Sequence, residues 1–408
     1  MKVLLVHEYY RSSSPSGEDR VFEKEQELLK SRSVQVKVLK YENDWIGTKN
    51  GPSLFETALF TPWSPIGRKL VEHAIREFKP DVVHFHNTFP VISQSALFEA
   101  KKYGAAVVQT FHNFRAICAQ AMLMRENSVC EKCLMKMFPW PSLLHSCYRK
   151  SFFATVPLAV NITLGRVLKT WNRVVDRFIV LSIFNREKFI EAGFPKNKIA
   201  VKPNFFEDTL AGVEPPSKIK NSCVFIGRLK EEKGVQFLPE VWQKMGQEAP
   251  VLHVLGDGPL KAIVHKKIQS FKLNQKMILH GRCSYNQVNE ILGRASLLVF
   301  PSIWYEGFPL VIGEAYAAGV PVAASRIGTP AFIVRDGVTG IHFRPGDIDD
   351  MANKLKYLMN NPDLLKAMAV NARQEYENKY TADANFEILM EIYREAIFEN
   401  RRSQFSRV

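Results

Sequence analysis

Trp304-Tyr305-Glu306-Gly307-Phe308-Pro309-Leu310-Val311-Ile312-Gly313-Glu314-Ala315-Tyr316-Ala317-Ala318-Gly319 is the stretch from which the rest of the chain is read. Ahead of it runs Ala295-Ser296-Leu297-Leu298-Val299-Phe300, which predicts a strand buried on both faces and ended by Pro301-Ser302. Pro309 suits a first helical turn, where its missing N–H would be unpaired anyway, and Gly319 suits the exit. Val320-Pro321-Val322-Ala323-Ala324 then returns as another strand. A helix start in this position points free backbone N–H groups and the positive end of the helix dipole beyond the strand, which favours a phosphate. Glu306 precedes the helix and Glu314 lies within it, and two carboxylates suit hydroxyl groups. Taken on spacing alone, they read equally well as surface glutamates.

Upstream, Ser222-Cys223-Val224-Phe225-Ile226 predicts a strand that delivers Gly227, after which Arg228 and Lys233 can reach one pocket. Arginine offers a planar fork of donors to phosphate oxygens and lysine a compact charge. Glu306-x7-Glu314 with its Gly-Phe-Pro, together with Gly227-Arg228-Leu229 and Lys233-Gly234, resembles the donor motifs of retaining, nucleotide-sugar-dependent glycosyltransferases of family 4, which have the GT-B fold. The resemblance implies that Glu306 contacts hydroxyls of the donor sugar and Glu314 the ribose hydroxyls. It also implies that Arg228, Lys233 and the helix-start amides from Gly307 through Phe308 to Leu310 stabilise the departing nucleoside diphosphate. Arg282 and Cys283, after the strand Ile278-Leu279-His280-Gly281, fall where the family places the nucleobase. Gly256-x-Gly258 is a partial nucleotide fingerprint with a folding role as its first reading. The segment Asp336-Gly337-Val338-Thr339-Gly340 reads as a hairpin turn.

The first half alternates strand and helix signals: strands near 3–6, 34–39, 81–86 and 106–110, with helices near 68–78 and 95–103 between them. This is the logic of a parallel, doubly wound sheet, whose ligands lie beyond the carboxyl ends of the strands. The loop after the first strand offers Gly17 for close backbone approach; Ser16 stands where the family usually pairs two glycines. His84, His86 and His112 are placed near strand ends. His112, in Thr110-Phe111-His112-Asn113, resembles the family's cleft histidine, which meets the donor sugar beside the reacting carbon, whereas His84 and His86 read as structural.

Residues 115–175 fit the pattern least regularly. They hold Cys118, Cys130, Cys133 and Cys147, a set that suits either a structural zinc or four reduced thiols. Met135-Lys136-Met137-Phe138-Pro139-Trp140-Pro141 and Tyr148-Arg149-Lys150-Ser151-Phe152-Phe153 interleave rings with cations, as stretches docking on anionic lipid do and as stretches packed under an insertion also do.

The chain has 408 residues, 46% of them apolar, enough for two domains with cores of their own. Its net charge of +14 is uneven: through Asn204 there are 30 Lys and Arg against 18 Asp and Glu. Six cysteines in this length are no disulfide scaffold, and no long uninterrupted apolar run appears. The expectation is an α/β protein of two Rossmann-like domains with parallel sheets facing a cleft. Residues 1–204 form the acceptor domain, with the insertion at 115–175; residues 205–382 form the donor domain, and 383–408 a helix crossing back to the first domain. The activity implied by the resemblance is metal-independent, retaining transfer of a hexose from a UDP-sugar to a glycan or lipid diphosphate-linked acceptor in surface polysaccharide assembly. His112, Arg228, Lys233 and Glu306 carry the chemistry. The expected location is cytoplasmic, with peripheral contact to an anionic membrane, and nucleic acid is not an expected partner. A nucleotide-sugar epimerase, a sugar phosphorylase or a catalytically silent nucleotide-binding scaffold would share the fold and the donor motifs.

Overall fold

The computed structural model describes residues 1–13, 16–208 and 221–405, so most of the polar stretch expected to join the domains lies outside the described residues. The chain divides into two compact units. The first comprises Met1–Leu123, Cys130–Pro203 and Phe386–Val408; the second comprises Met124–Val129 and Asn204–Asn385.

The first unit is built on a six-stranded sheet of β1 (Lys2–Tyr9), β2 (Gln35–Glu42), β3 (Val82–Phe85), β4 (Ala106–Phe111), β5 (Arg177–Val180) and β6 (Ile199–Val201), in the order β2-β1-β3-β4-β5-β6. Every pairing is parallel. β3 and β4 are buried along their whole length, His84, Gln109 and Thr110 included, as strands of a parallel sheet covered on both faces should be. Helix α1 (Gly17–Ser31) starts at a capping box, with Ser16 as cap and the Asp19 carboxylate returning to the Ser16 N–H. Serine thus replaces a family glycine where a cap is needed. Leu389, Ile392, Tyr393 and Ala396 recur at helical spacing along the C-terminal helix (Ala382–Phe405) and close the core against Val3, Leu5, Phe22 and Ile179.

Between β4 and β5 the stretch that sequence reading leaves irregular holds a helix, Phe152–Val167, which tolerates Pro157 in its second turn. A further helix, Leu54–Phe60, lies between β2 and β3. His84 sits inside β3 rather than beyond its end, and is fully buried.

The second unit carries another six-stranded sheet: β7 (Ser222–Ile226), β8 (Val251–Leu255), β9 (Met277–Gly281), β10 (Leu297–Phe300), β11 (Val322–Ser325) and β12 (Gly340–Phe343), in the order β9-β8-β7-β10-β11-β12. All its pairings are parallel as well. Alternate residues feed separate cores. Cys223, Phe225, Leu297 and Val299 join Trp242, Leu238 and Leu355 on one face, while Val224, Leu298 and Phe300 join Ile312, Tyr316 and Tyr376 on the other. Helices therefore cover both faces. The segment expected as a hairpin is not one: Gly340 begins β12, which pairs parallel with β11, and Asp336-Gly337 only turns the chain into it.

Each sheet reverses strand order once, between β1 and β3 in the first unit and between β7 and β10 in the second. In open α/β sheets, ligands gather beyond the carboxyl ends at that reversal.

Candidate active site

In the second unit, the loops leaving β7 and β10 meet at the reversal. Gly256, at φ +145°, passes so close that a Cβ there would lie 1.9 Å from the Gly227 carbonyl oxygen, and the Leu229 N–H bonds the Asp257 carbonyl. Gly256-x-Gly258 thus shapes the turn that carries Arg228, in agreement with a folding role. After the single helical turn Glu231–Lys233 comes Gly234 at φ +71°, where a Cβ would lie 1.9 Å from the Pro301 carbonyl oxygen. The Ile303 N–H donates to the Glu232 carbonyl at 3.0 Å and staples the two loops together, with Ser302 Oγ 3.1 Å from the same carbonyl.

This close approach brings Lys233 to Glu306. Lys233 Nζ, Ser302 Oγ and Trp304 Nε1 donate to the same carboxylate oxygen, Glu306 Oε1, at 2.6, 2.9 and 2.8 Å. Glu306 is buried, and Thr329 Oγ1 fixes its backbone by donating to the Glu306 carbonyl at 2.7 Å and the Gly307 carbonyl at 3.2 Å. The Lys233 ammonium also lies 5.5 Å from the centre of the Trp304 ring. Phe308 stacks on Phe206, and Leu310 opens the helix Leu310–Ala317, whose cap residue Pro309 makes no side-chain capping bond. Arg228 is exposed and makes no ion pair among the described residues. Glu314 is half-buried within the helix.

Arg282 and Cys283 stand apart from this group. They follow β9, an edge strand separated from β7 by β8, about 10 Å away at the usual strand spacing. Cys283 packs against the core beneath, while Arg282 is exposed. The one Asp-x-Asp triplet, Asp347-Ile348-Asp349, is engaged in helix capping: Asp347 Oδ1 accepts the Asp350 N–H at 2.9 Å, and Asp349 pairs with Lys244.

In the first unit, Gly17 is the exposed first residue of α1, not a residue of the preceding loop. His112 follows β4 and lines a pocket with Glu18, His86, Asn87, Gln109 and Asn113. His112 Nε2 lies 3.0 Å from His86 Nδ1. Burial lowers the pKa of both histidines, and neighbouring His86 lowers that of His112 further. Glu18, whose carboxyl is raised by burial, accepts from Asn113 Nδ2 at 2.8 Å and from the Tyr10 hydroxyl at 3.1 Å. Glu8 is wholly buried at the end of β1 and accepts the Val91 and Ile92 N–H groups, both at 2.8 Å. Burial pushes its carboxyl up to about 8 against those two donors.

Glu25, Lys202, His86, Glu18 and Glu8 are absent from the sequence-derived site. A lone buried charge carries no motif; only the pairing of distant positions reveals it. His86, expected to be structural, contacts His112.

Burial pushes the Cys133 thiol up to about 12, and the thiols of the other three insertion cysteines, Cys118, Cys147 and Cys130, push the same way. Among the described residues, the group of three or more metal-ligating side chains whose donor atoms all lie within 4.8 Å is Glu25, His84 and His86; no three of the thiols do so. A tetrahedral zinc would hold its sulfurs about 3.8 Å apart, so the thiols as placed form no ready cage.

Two family descriptions match: "Glycosyltransferase Family 4" over residues 38–209 and "Glycosyl transferases group 1" over residues 208–375. The sulfoquinovosyl transferase SQD2 of Arabidopsis thaliana is 26% identical over 81% of this chain and 60% of its own length. The chain spans about half the length, or less, of several curated relatives it matches. Among solved structures, Anabaena Alr3699/HepE in complex with UDP superposes with a TM-score of 0.64 at 18% identity, covering 96% of this chain and 99% of that one. The lipopolysaccharide outer core galactosyltransferase WaaB superposes with a TM-score of 0.63 at 17% identity, covering 98% and 99%. Fold and motifs together define the class as a GT-B-type glycosyltransferase. Within that class, the chain belongs to glycosyltransferase family 4.

Proposed function

We propose that this protein transfers a hexose from a UDP-hexose to a glycan or lipid diphosphate-linked acceptor in surface polysaccharide assembly, with retention of anomeric configuration and without a metal. The observation that carries the reading is the convergence of Lys233, Glu306 and an uncapped helix start at the strand-order reversal of the second unit, with unpaired Arg228 on the same loop. The cations and helix amides stabilise the leaving diphosphate, and Glu306, held by three donors on one oxygen, orients a sugar hydroxyl. Glu314 takes the ribose hydroxyls, Arg282 and Cys283 neighbour the nucleobase, and Gly17 and His112, on the first unit, are binding residues for a sugar. The UDP held by HepE and the lipopolysaccharide outer core named for the galactosyltransferase WaaB support this choice of donor and acceptor class.

The test is a thermal-shift and titration panel of UDP, GDP, ADP and their sugars on wild type and Arg228→Ala. UDP and a UDP-hexose should bind wild type. The variant, losing an exposed and unpaired side chain, should melt within about 0.5 kcal/mol of wild type yet turn over about 100-fold more slowly. Near-normal turnover by Arg228→Ala would overturn its assignment.

A further inference from the structure

The first unit buries a charged pair that its packing does not require. Lys202 Nζ donates to Glu25 Oε2 at 2.7 Å, with both side chains almost wholly enclosed. Burial alone would raise the Glu25 carboxyl, but Lys202, His86 and His84 hold it well below the usual carboxylate range. Its other oxygen, Oε1, lies 3.1 Å from His86 Nε2 and 3.4 Å from His84 Nδ1. His84 is already engaged, with Nδ1 2.8 Å from the Tyr393 hydroxyl and Nε2 2.7 Å from the Thr110 hydroxyl. Glu25 Oε1 and His86 Nε2 are buried and neither has a hydrogen bond of good geometry, so the 3.1 Å charge contact between them is the nearest outlet each has. Beyond His86 the rings of His86 and His112 stack at 5.2 Å, with Nδ1 of the first 3.0 Å from Nε2 of the second.

Proton counting along this row has one solution for neutral imidazoles. A carboxylate only accepts, so the His86 proton sits on Nε2 and its Nδ1 presents a lone pair. His112 must then donate from Nε2, which leaves its Nδ1 bare. We propose that Glu25 and Lys202, acting through His86, hold His112 as the Nε2–H tautomer, so that the ring nitrogen it offers a ligand is an acceptor suited to a sugar hydroxyl. The choice of ligand rests on the proposed function; the relay does not. Glu25, Lys202 and His86 are thereby positioning residues. In the same row the lysine already neutralises the Glu25 carboxylate, and His84 has a hydroxyl partner on each ring nitrogen.

Long-range proton–nitrogen spectra of the full-length protein labelled with 15N-histidine, with His112 assigned through His112→Gln, test the relay. Wild type should show His86 and His112 as Nε2–H tautomers, unchanged from about pH 6 to 8. In His86→Phe and in the charge-balanced Glu25→Leu/Lys202→Met, His112 should become a tautomer mixture. Sugar transfer should fall about tenfold, with the KM for nucleotide sugar unchanged. A wild-type His112 protonated on Nδ1 overturns the relay even if neither variant folds, as does an unaltered Nε2–H tautomer in folded variants. Tautomers that shift while transfer stays normal would uphold the relay and remove His112 from the sugar.

Discussion

Glu306 and Glu8 show what burial does to the same side chain in two settings. Glu306 meets a lysine, a hydroxyl and an indole N–H on one oxygen, whereas Glu8 meets only backbone N–H groups. With no cation as partner, Glu8 is pushed from its ordinary 4.5 up to about 8. An acid raised in the folded state is favoured there in its protonated form. Its contribution is whole below about pH 4.5, declines as the pH rises, and is fully lost once the folded group ionises near 8, at a slope of up to about 1.4 kcal/mol per pH unit. Glu8→Gln cannot ionise and removes that slope. Melting curves of the two proteins at pH 6, 7 and 8 should therefore show wild type losing ground to Glu8→Gln as the pH rises. A gap that stays constant would mean that Glu8 is already ionised at pH 6. The buried histidines act in the opposite sense, because burial lowers them and the stability they allow is lost as pH falls below 6.5. They are common to wild type and Glu8→Gln and so cancel from the comparison.

The strands are legible in the sequence because a covered parallel strand is largely an unbroken apolar run, as Leu297–Phe300 shows. The same rule explains the misreading at Asp336-Gly337: a turn signal fixes where the chain bends, not which neighbour the next strand pairs with. The helix Phe152–Val167 escapes because Pro157 and two leading phenylalanines disguise its period, and Leu54–Phe60 because most of its apolar side chains face solvent. Lys233 and Glu306 are legible as motif residues, but the contact between them is not, since it depends on Gly234 lying against Pro301. Gly234→Ala tests that dependence. A methyl group 1.9 Å from the Pro301 carbonyl oxygen, on a residue at φ +71°, forces the loops apart and should cost about 2 kcal/mol or more. The expected readouts are a lowered melting temperature, faster hydrogen exchange in residues 227–234, and weaker UDP binding. Wild-type affinity in a destabilised variant would show that the staple supports the fold without serving the ligand.

At the scale of the whole chain, the charge imbalance gains a location. The excess cations fall in the half that also carries the insertion, where Met135, Phe138, Trp140, Leu144, Phe152 and Phe153 are all exposed, Met135 by 81% and Phe153 by 84%. Lys132, Lys136, Arg149 and Lys150 stand among them in the sequence, with the Lys136 ammonium 5.3 Å from the Trp140 ring centre. Rings and thioethers left in water are costly unless something covers them, and cations among them match an anionic headgroup layer. No helix of the described residues is long and apolar enough to cross a membrane, so the contact would be one of surface docking. Such docking needs both terms, since a few rings at the interface give only reversible binding and the basic residues add about 1 kcal/mol each near a charged surface. In liposome flotation, the protein should rise with vesicles rich in phosphatidylglycerol at about 0.1 M salt, release at about 0.5 M, and ignore phosphatidylcholine. Trp140→Ser/Phe153→Ser should abolish flotation while leaving UDP affinity unchanged, because both side chains lie outside the proposed nucleotide site. Should the doubly substituted protein float like wild type, the rings are not the anchor; should wild type stay at the bottom at low salt, the membrane is not the partner.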